Sequence, residues 1–544
     1  MYCCINSASI WGIEPYIVKI EADISSGMPY FNMVGLLSSE VREARERVRT
    51  ALKNSGEDIP LGRITVNLSP ADRRKEGTGF DLPIAVSLLC AMGRLPASEF
   101  EHTLVIGELG LDGEIKGVRG ILPIVHRAGK NGITQCIVPK ENEKEGSVFS
   151  DIRVCSFQSL RDLIKYFDDN SQNRCDDYSS VSMIQRGAES EQPNVSGYRA
   201  DDLREGASQN NNRHGEDFSQ IIGQEAAKRA LMIAVAGWHN ILMIGPPGVG
   251  KSMLASRIPT IMPPLTMEER IEVSGIHSIC GLLPENGLID VRPFSSPHHT
   301  VTAAALIGGG RVPRPGEITI AHKGILFLDE LPEFQPSVLE SLRQPLEEKA
   351  VKIHRMGGSY IFPADCLLAA AMNPCKCGYY PDRSKCNCSE HDISAYLSRI
   401  SGPLLDRIDM SVEVSAVDKK EFDVTGVGKY NDKILTSKKM RELICRAAAF
   451  QRERQGEKLN GSLSVDDIRK YCVLDRESAD FMKEAYERFE LSMRGYYKII
   501  KTARTIADLE GSEKIMINHL AESLAYRVSD IKHLNNKKRS NEWI

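Results

Sequence analysis

The feature that most constrains this chain is Gly245-Pro246-Pro247-Gly248-Val249-Gly250-Lys251-Ser252, a complete G-x-x-x-x-G-K-[ST] pattern. It lies between a short apolar run, Asn240 to Ile244, and a stretch from about Lys251 to Ile258 with helical periodicity. A strand that turns through glycines into a helix commits its surroundings to an open parallel α/β sheet. Glycines let backbone N–H groups curl around phosphate oxygens, and the helix N-terminus adds a favourable field. Lys251 is expected to neutralise charge on the β- and γ-phosphates of ATP, and Ser252 to ligate Mg²⁺.

A second apolar run, Ile325-Leu326-Phe327-Leu328, ends in Asp329-Glu330, and a third, Cys366 to Ala371, ends in Met372-Asn373-Pro374. Ligands of open α/β sheets bind at the C-terminal ends of the strands, where these polar residues are delivered. Asp329 is expected to hold Mg²⁺ through water and Glu330 to polarise the attacking water. Asn373 is a candidate to orient that water, the alternative being a turn-forming Asn before Pro374.

The chain of 544 residues is long enough for three or four domains at roughly 150 residues each. Hydrophobic residues make up 42% and charged residues 26%, which excludes a wholly disordered chain. Lys and Arg number 69 against 73 Asp and Glu, a net charge of −4, so any nucleic-acid surface must be local. No run reaches the ~20 apolar residues of a membrane span. The start, Met1-Tyr2-Cys3-Cys4-Ile5-Asn6, lacks the regions of a signal peptide. The 14 cysteines are therefore expected as reduced thiols in a cytoplasmic protein, some held by metal.

Composition divides the chain into an N-terminal domain (1–168), a flexible linker (169–216), an α/β domain (217–418) and a helical C-terminal domain (419–544). In the first, strand-like runs (Ile64 to Leu68, Thr103 to Ile106, Cys136 to Val138) alternate with helical ones such as Leu82 to Met92. The linker is rich in Asp, Asn, Ser, Gln and Gly, including Asn210-Asn211-Asn212, and has few aliphatic residues to offset its ordering entropy. Ile222 to Trp238 reads as a helix opening the third. Lys438 to Gln455, Val465 to Tyr471, Ser478 to Phe489, Gly495 to Leu509 and Ile517 to Tyr526 carry helical periodicity in the last.

Asp217-Phe218-Ser219-Gln220-Ile221-Ile222-Gly223-Gln224 resembles the opening of an AAA+ ATPase module. Pro297-His298-His299-Thr300, Gly308-Gly309-Gly310, Pro315-Gly316-Glu317-Ile318 and Ser401-Gly402-Pro403-Leu404-Leu405-Asp406-Arg407-Ile408-Asp409 are more specific. Together they resemble the magnesium-chelatase-like AAA+ proteins of the ComM/YifB competence family, over nearly the whole chain. The resemblance implies an ATP-driven homo-hexameric ring related to MCM helicases, acting on single-stranded or branched DNA in branch migration during natural transformation, with recombination proteins as partners. It implies that Arg407 is the finger reaching a neighbouring subunit's γ-phosphate, with Arg399 as competitor, and that Arg494 is the sensor arginine of the helical lid. Such a finger contributes ~10³–10⁵ in rate elsewhere.

Cys375-Lys376-Cys377 and Cys386-Asn387-Cys388 place four thiols within 14 residues. Four thiolates suit the tetrahedral preference of structural Zn²⁺, although the spacing is C-x-C and not C-x₂-C. The alternative is four reduced thiols on an insertion loop. His391, His298 and His299 are further possible ligands, or DNA-facing residues.

The N-terminal domain resembles the Lon protease catalytic fold, an α+β architecture of the ribosomal S5 type. Lys75-Glu76-Gly77-Thr78-Gly79-Phe80-Asp81 is similar to that family's nucleophile segment, and Gly107-Glu108-Leu109-Gly110-Leu111-Asp112-Gly113 to the segment leading to its lysine. The serine position reads Gly79 and the lysine position Ile124. A Ser–Lys dyad is therefore not expected, and the domain reads as a scaffold.

Two basic clusters stand out. Lys349, Lys352, His354 and Arg355, with Gly357-Gly358 following, suit a hairpin that grips phosphates in a ring's pore, or one that is simply solvated. Lys438, Lys439, Arg441, Arg446, Arg452 and Arg454 read as an exposed helix face. A DNA motor competes with a chelatase-type motor remodelling a protein partner; an ATP-dependent protease lacks its dyad.

Overall fold

The computed structural model describes residues 1–172, 217–355, 358–415 and 435–527. Most of the expected linker, including Asn210 to Asn212, and the boundary near residue 418 lie outside the described residues, as does Gly357. The helix Leu160–Gln172 runs past residue 168. Two compact units form. One combines the N-terminal residues with Thr266–Ile289 and His354–Ile361; the other holds the remaining residues of the α/β and helical regions.

The first unit is built on a seven-stranded mixed sheet. Its order is Tyr30–Val34, Arg63–Ser69, Glu14–Ser25, Tyr2–Trp11, Thr103–Val105, Gln135–Pro139, Arg153–Phe157. The longest pair, Tyr2–Trp11 with Glu14–Ser25, is an antiparallel hairpin turning through Gly12. The fully buried helix Asp81–Ala91 packs on this hairpin and on helix Ser39–Asn54. Two charged residues of the Lon-like segment serve the fold. Lys75 is buried with its ammonium on the carbonyls of Pro70 and Arg73, and buried Asp81 accepts a bidentate pair from Arg47 at 2.7 and 2.9 Å. Burial raises the pKa of Asp81, and Arg47 opposes that rise.

The second unit is a five-stranded, all-parallel sheet in the order Phe294–Ser295, Ile325–Leu328, Leu367–Met372, Ile241–Ile244, Met410–Glu413. The three apolar runs that the sequence marks as strands are its centre. Their side chains are buried throughout, as a sheet covered on both faces requires, at about 1.5–3 kcal/mol for each large aliphatic. Helices Glu225–Gly237, Lys251–Ile261 and Ser437–Gln455 share its core. Pairing of Gly308–Gly309 with Arg314–Pro315 and the hydrogen bond from Ser295 to Glu317 (2.7 Å) explain two of the family-type motifs as structural.

The C-terminal helices Ser437–Gln455, Val465–Tyr471, Arg476–Arg488, Met493–Glu510 and Ile517–Ala525 follow the sequence expectation closely. Thr436, Ser464, Asp475 and Ser492 cap four of them through side-chain oxygens. Arg454 departs from the expected exposed face. It turns inward to make a bidentate pair with buried Asp508 at 2.7 and 2.8 Å, and Arg504 and Asn460 complete that carboxylate's shell. An acceptor this buried requires cationic partners, which outweighs the pull of solvent on one arginine. Among the described residues no helix is long and apolar enough to cross a membrane.

Candidate nucleotide-binding site

The strand Ile241–Ile244 delivers Gly245 to the C-terminal edge of the sheet, and the chain turns into helix Lys251–Ile261. Gly248 and Gly250 have φ of 78° and 90°, a region open to glycine and costly for other residues. Gly250 is the helix N-cap and brings no side-chain hydrogen bond, so the first-turn amides face the loop, an arrangement suited to an anion. Pro246, Pro247 and Val249 complete the loop. The Lys251 ammonium turns back onto the carbonyls of Gly245 (2.6 Å) and Pro246 (2.9 Å) and the Asn373 Oδ1 (3.0 Å). Burial lowers its pKa, while Asp329 and Glu330 push it back up.

Strand Ile325–Leu328, one removed from Ile241–Ile244, brings in the acids. The Ser252 hydroxyl donates to Asp329 Oδ2 at 2.6 Å. Two hard oxygen donors so close fit Mg²⁺, which takes few protein ligands and fills its octahedron with water and phosphate oxygens. Glu330 occupies the left-handed region at φ 50° with its carboxylate 57% exposed, between strand and short helix Leu331–Glu333. A non-glycine residue there costs about 1–2 kcal/mol. Burial of Leu331 and Phe334 just beyond it holds the turn. Asn373, at the end of the strand between the two, meets Lys251. Lys251, Ser252, Asp329, Glu330 and Asn373 thus converge on one sheet edge.

The sequence did not single out His299 as a partner of the acid. It follows the edge strand Phe294–Ser295, which pairs in parallel with the acid-bearing strand, and its Nδ1 lies 3.5 Å from Glu330 Oε2. The His298 ring lies against it, with ring centroids 4.0 Å apart and planes tilted by 34°. The Pro-His-His-Thr motif was visible; the strand that positions it is only two residues long and carries no periodicity.

The two arginines lie elsewhere. Asn240, immediately before the phosphate-loop strand, donates its side-chain amide to the Arg407 carbonyl at 2.8 Å, and its backbone N–H to Asp409 at 2.9 Å. Arg407 therefore sits at the N-terminal edge of the sheet, some 13 Å from the loop along a four-residue strand. Its guanidinium is held by Glu347 (2.5 Å) and by the carbonyls of Pro403 (2.6 Å) and Arg343 (3.2 Å). Arg494 shares Glu347 at 3.6 Å, and both arginines line one cavity of about 370 Å³ with Lys349, Lys498 and Lys501. Arg399 instead pairs with Glu333 at 3.1 Å, on the turn that follows Glu330.

Cys375, Cys377, Cys386 and Cys388 bring their sulfurs within 4.8 Å of one another, a geometry that could hold a tetrahedral metal ion. Neither His391 nor His298 and His299 belong to that group. In the first unit, Gly79 and Ile124 line one cavity of about 370 Å³ whose lining includes no lysine. The basic hairpin forms as Ala350–Arg355 with Gly358–Pro363, but Lys349 pairs with Asp365 (3.0 Å) and Lys352 with Glu348 (2.8 Å).

Residues 217–422 match the family described as magnesium chelatase, subunit ChlI; 20–142 match subunit ChlI of Mg-chelatase, and 435–527 its C-terminal part. The chain is 40% identical over 527 residues to competence protein ComM of Haemophilus influenzae, covering 96% of this chain and 97% of that one. It is 38% identical over 530 residues to YifB of Salmonella typhimurium, covering 97% of each. Lon protease 2 of Bacillus subtilis is 28% identical over 143 residues, 25% of this chain and 26% of that one. The sheet, the phosphate loop and the acid pair define a magnesium-chelatase-like AAA+ ATPase, a class that uses ATP and Mg²⁺. Within that class the chain belongs to the ComM/YifB family.

Proposed function

We propose that this protein is an ATP-dependent homo-hexameric ring motor that acts on single-stranded or branched DNA, driving branch migration as incoming DNA is recombined in the cytoplasm. The observation that carries the motor reading is the split of its charges. Lys251, Ser252, Asp329, Glu330 and Asn373 meet at one sheet edge, while Arg407 and Arg494 share Glu347 at the region of the opposite edge. In this reading the loop from Gly245 to Gly250 cradles the phosphates and Lys251 leaves its carbonyl partners for the β- and γ-oxygens. Ser252 and Asp329 hold Mg²⁺. Glu330 takes a proton from the attacking water, which Asn373 orients. A neighbouring chain's Arg407 meets the charge that develops on the γ-phosphate, with Arg494 reporting nucleotide state. Arg399 is the weaker finger, being tied to the turn beside its own acid. A structural Zn²⁺ occupies the four cysteines. Residues 1–168 act as a scaffold, 169–216 as a linker, 217–418 as the ATPase module and 419–544 as its lid.

DNA as substrate is supported by 40% identity to a protein named for competence, with recombination proteins as the natural partners. A second reading, remodelling of a protein partner, is favoured by the three magnesium-chelatase matches. ATP hydrolysis by the full chain, measured with and without single-stranded and four-way-junction DNA, separates them. Stimulation of several-fold by either DNA, with junction movement that requires ATP, supports the motor. ATPase activity indifferent to every DNA tested would favour the second reading.

A further inference from the structure

The four cysteines lie on a run that meets the phosphate loop at Gly378. Strand Leu367–Met372 ends at Asn373, and Cys375 follows two residues on. Its sulfur lies 3.3 Å from that of Cys377 and 3.7 Å from that of Cys386, close to the ~3.8 Å expected between sulfurs of a tetrahedral zinc thiolate site. The Tyr380 N–H donates to the Cys375 sulfur at 3.4 Å, the kind of outer hydrogen bond that orients a thiolate ligand. The small core around these sulfurs has three buried members, Cys375, Cys386 and Ile393. Burial on that scale cannot offset the entropy of ordering the run from Cys375 to Leu397, so an additional cross-link is needed.

Three connections lead from this cluster to the nucleotide residues. Gly378, at φ 87°, presses its backbone against the phosphate loop; a Cβ there would lie 2.5 Å from Pro247 Cδ. Asn373, which accepts from Lys251 at 3.0 Å, is joined to Cys375 through Pro374 alone. The Tyr396 hydroxyl pairs with the Asn373 backbone, and Tyr396 lies on helix Glu390–Leu397, whose Ile393 closes the sulfur core.

We propose that one Zn²⁺ on Cys375, Cys377, Cys386 and Cys388 is a positioning element of the ATP site, holding Pro247 and Asn373 so that nucleotide affinity depends on the metal. The inference rests on the reading of the phosphate loop as an ATP site. No cysteine of the cluster meets the nucleotide; the effect passes through Gly378, Asn373 and Tyr396.

The test uses the full chain purified without chelator. Elemental analysis is expected to find about one zinc per chain, and Cys386→Ser/Cys388→Ser to abolish it. Withdrawing zinc with a thiol-competing chelator should weaken binding of a fluorescent non-hydrolysable ATP analogue by about 10-fold or more, the scale on which outer supports act, and re-added zinc should restore it. Gly378→Ala should retain zinc yet weaken the same binding, which separates positioning from loss of fold. Protein that carries no zinc and takes none up, or that carries iron instead, overturns the proposal. So does unchanged affinity after zinc withdrawal or in Gly378→Ala, which leaves the nucleotide reading standing. Zinc-loaded wild-type chain that binds no analogue overturns the nucleotide reading itself.

Discussion

In the proposed function Lys251 and Glu330 divide the work of the site between binding and chemistry, a division their surroundings support. Lys251 is buried and already spends its three protons on Gly245, Pro246 and Asn373, a cradle that a phosphate can take over. Lys251→Ala is therefore expected to abolish ATP-analogue binding. Glu330 is exposed and pairs with His299 at 3.5 Å, so Glu330→Gln should bind normally and lose turnover by about 10²–10⁴-fold, the usual contribution of a general base. Equilibrium binding beside steady-state hydrolysis checks both, and a Glu330→Gln enzyme with normal turnover would remove this residue from the reaction. At this scale the sequence was informative wherever residue type and chemistry coincide: a lysine after glycines, an acid pair after an apolar run. It was silent on His299 beside Glu330 and on Glu347 beneath two arginines, because those partners are joined by folding and not by spacing.

Among the elements, the join between helical lid and sheet carries a pH-dependent stability. His239 is buried at the end of helix Glu225–Gly237, with its Nε2 2.8 Å from Thr505 of the lid. Burial holds its pKa down at about 4, with Lys501 and Lys498 adding to the depression and Asp409 opposing it. Above pH about 6.5 the imidazole is neutral both folded and unfolded. Between about 6.5 and 4 only the unfolded chain takes up the proton, so stability falls as pH drops and levels off below about 4. The full effect is on the order of 3 kcal/mol. Urea unfolding at pH 7.5 and 5 should show the loss in wild type and a smaller one in His239→Gln; equal losses would refute the assignment. The five lid helices were legible because each carries helical periodicity and four carry capping residues. The first hairpin, Tyr2–Trp11 with Glu14–Ser25, escaped notice. Polar Ser7 and Ser9 are buried in its first strand, which blurs the two-residue alternation, and its partner strand contributes the contrast only once paired.

At the scale of the whole molecule, the ~13 Å of sheet between phosphate loop and Arg407 supports the proposed shared site, in which each chain supplies half. Mixing Lys251→Ala and Arg407→Ala proteins, each inactive alone, should restore part of the ATPase activity. An interface that joins the intact loop of the second to the intact finger of the first is complete. Full-rate turnover by a dilute, demonstrably monomeric preparation would refute the shared site. The sequence by itself determined the parallel α/β module, its phosphate loop and acids, the helical lid and the four-sulfur cluster. Each of these is written in local patterns: a motif, a run of buried apolar residues, a period of 3.6, a pair of C-x-C steps. Only the tertiary structure decided that Arg407 and Arg494 share one carboxylate away from the loop, that Arg454 turns inward to Asp508, and that Gly378, between the cysteine pairs, meets Pro247. Those are contacts between residues distant in the chain, set by which strand lies beside which and by where a buried charge finds its partner, and local pattern carries no record of either.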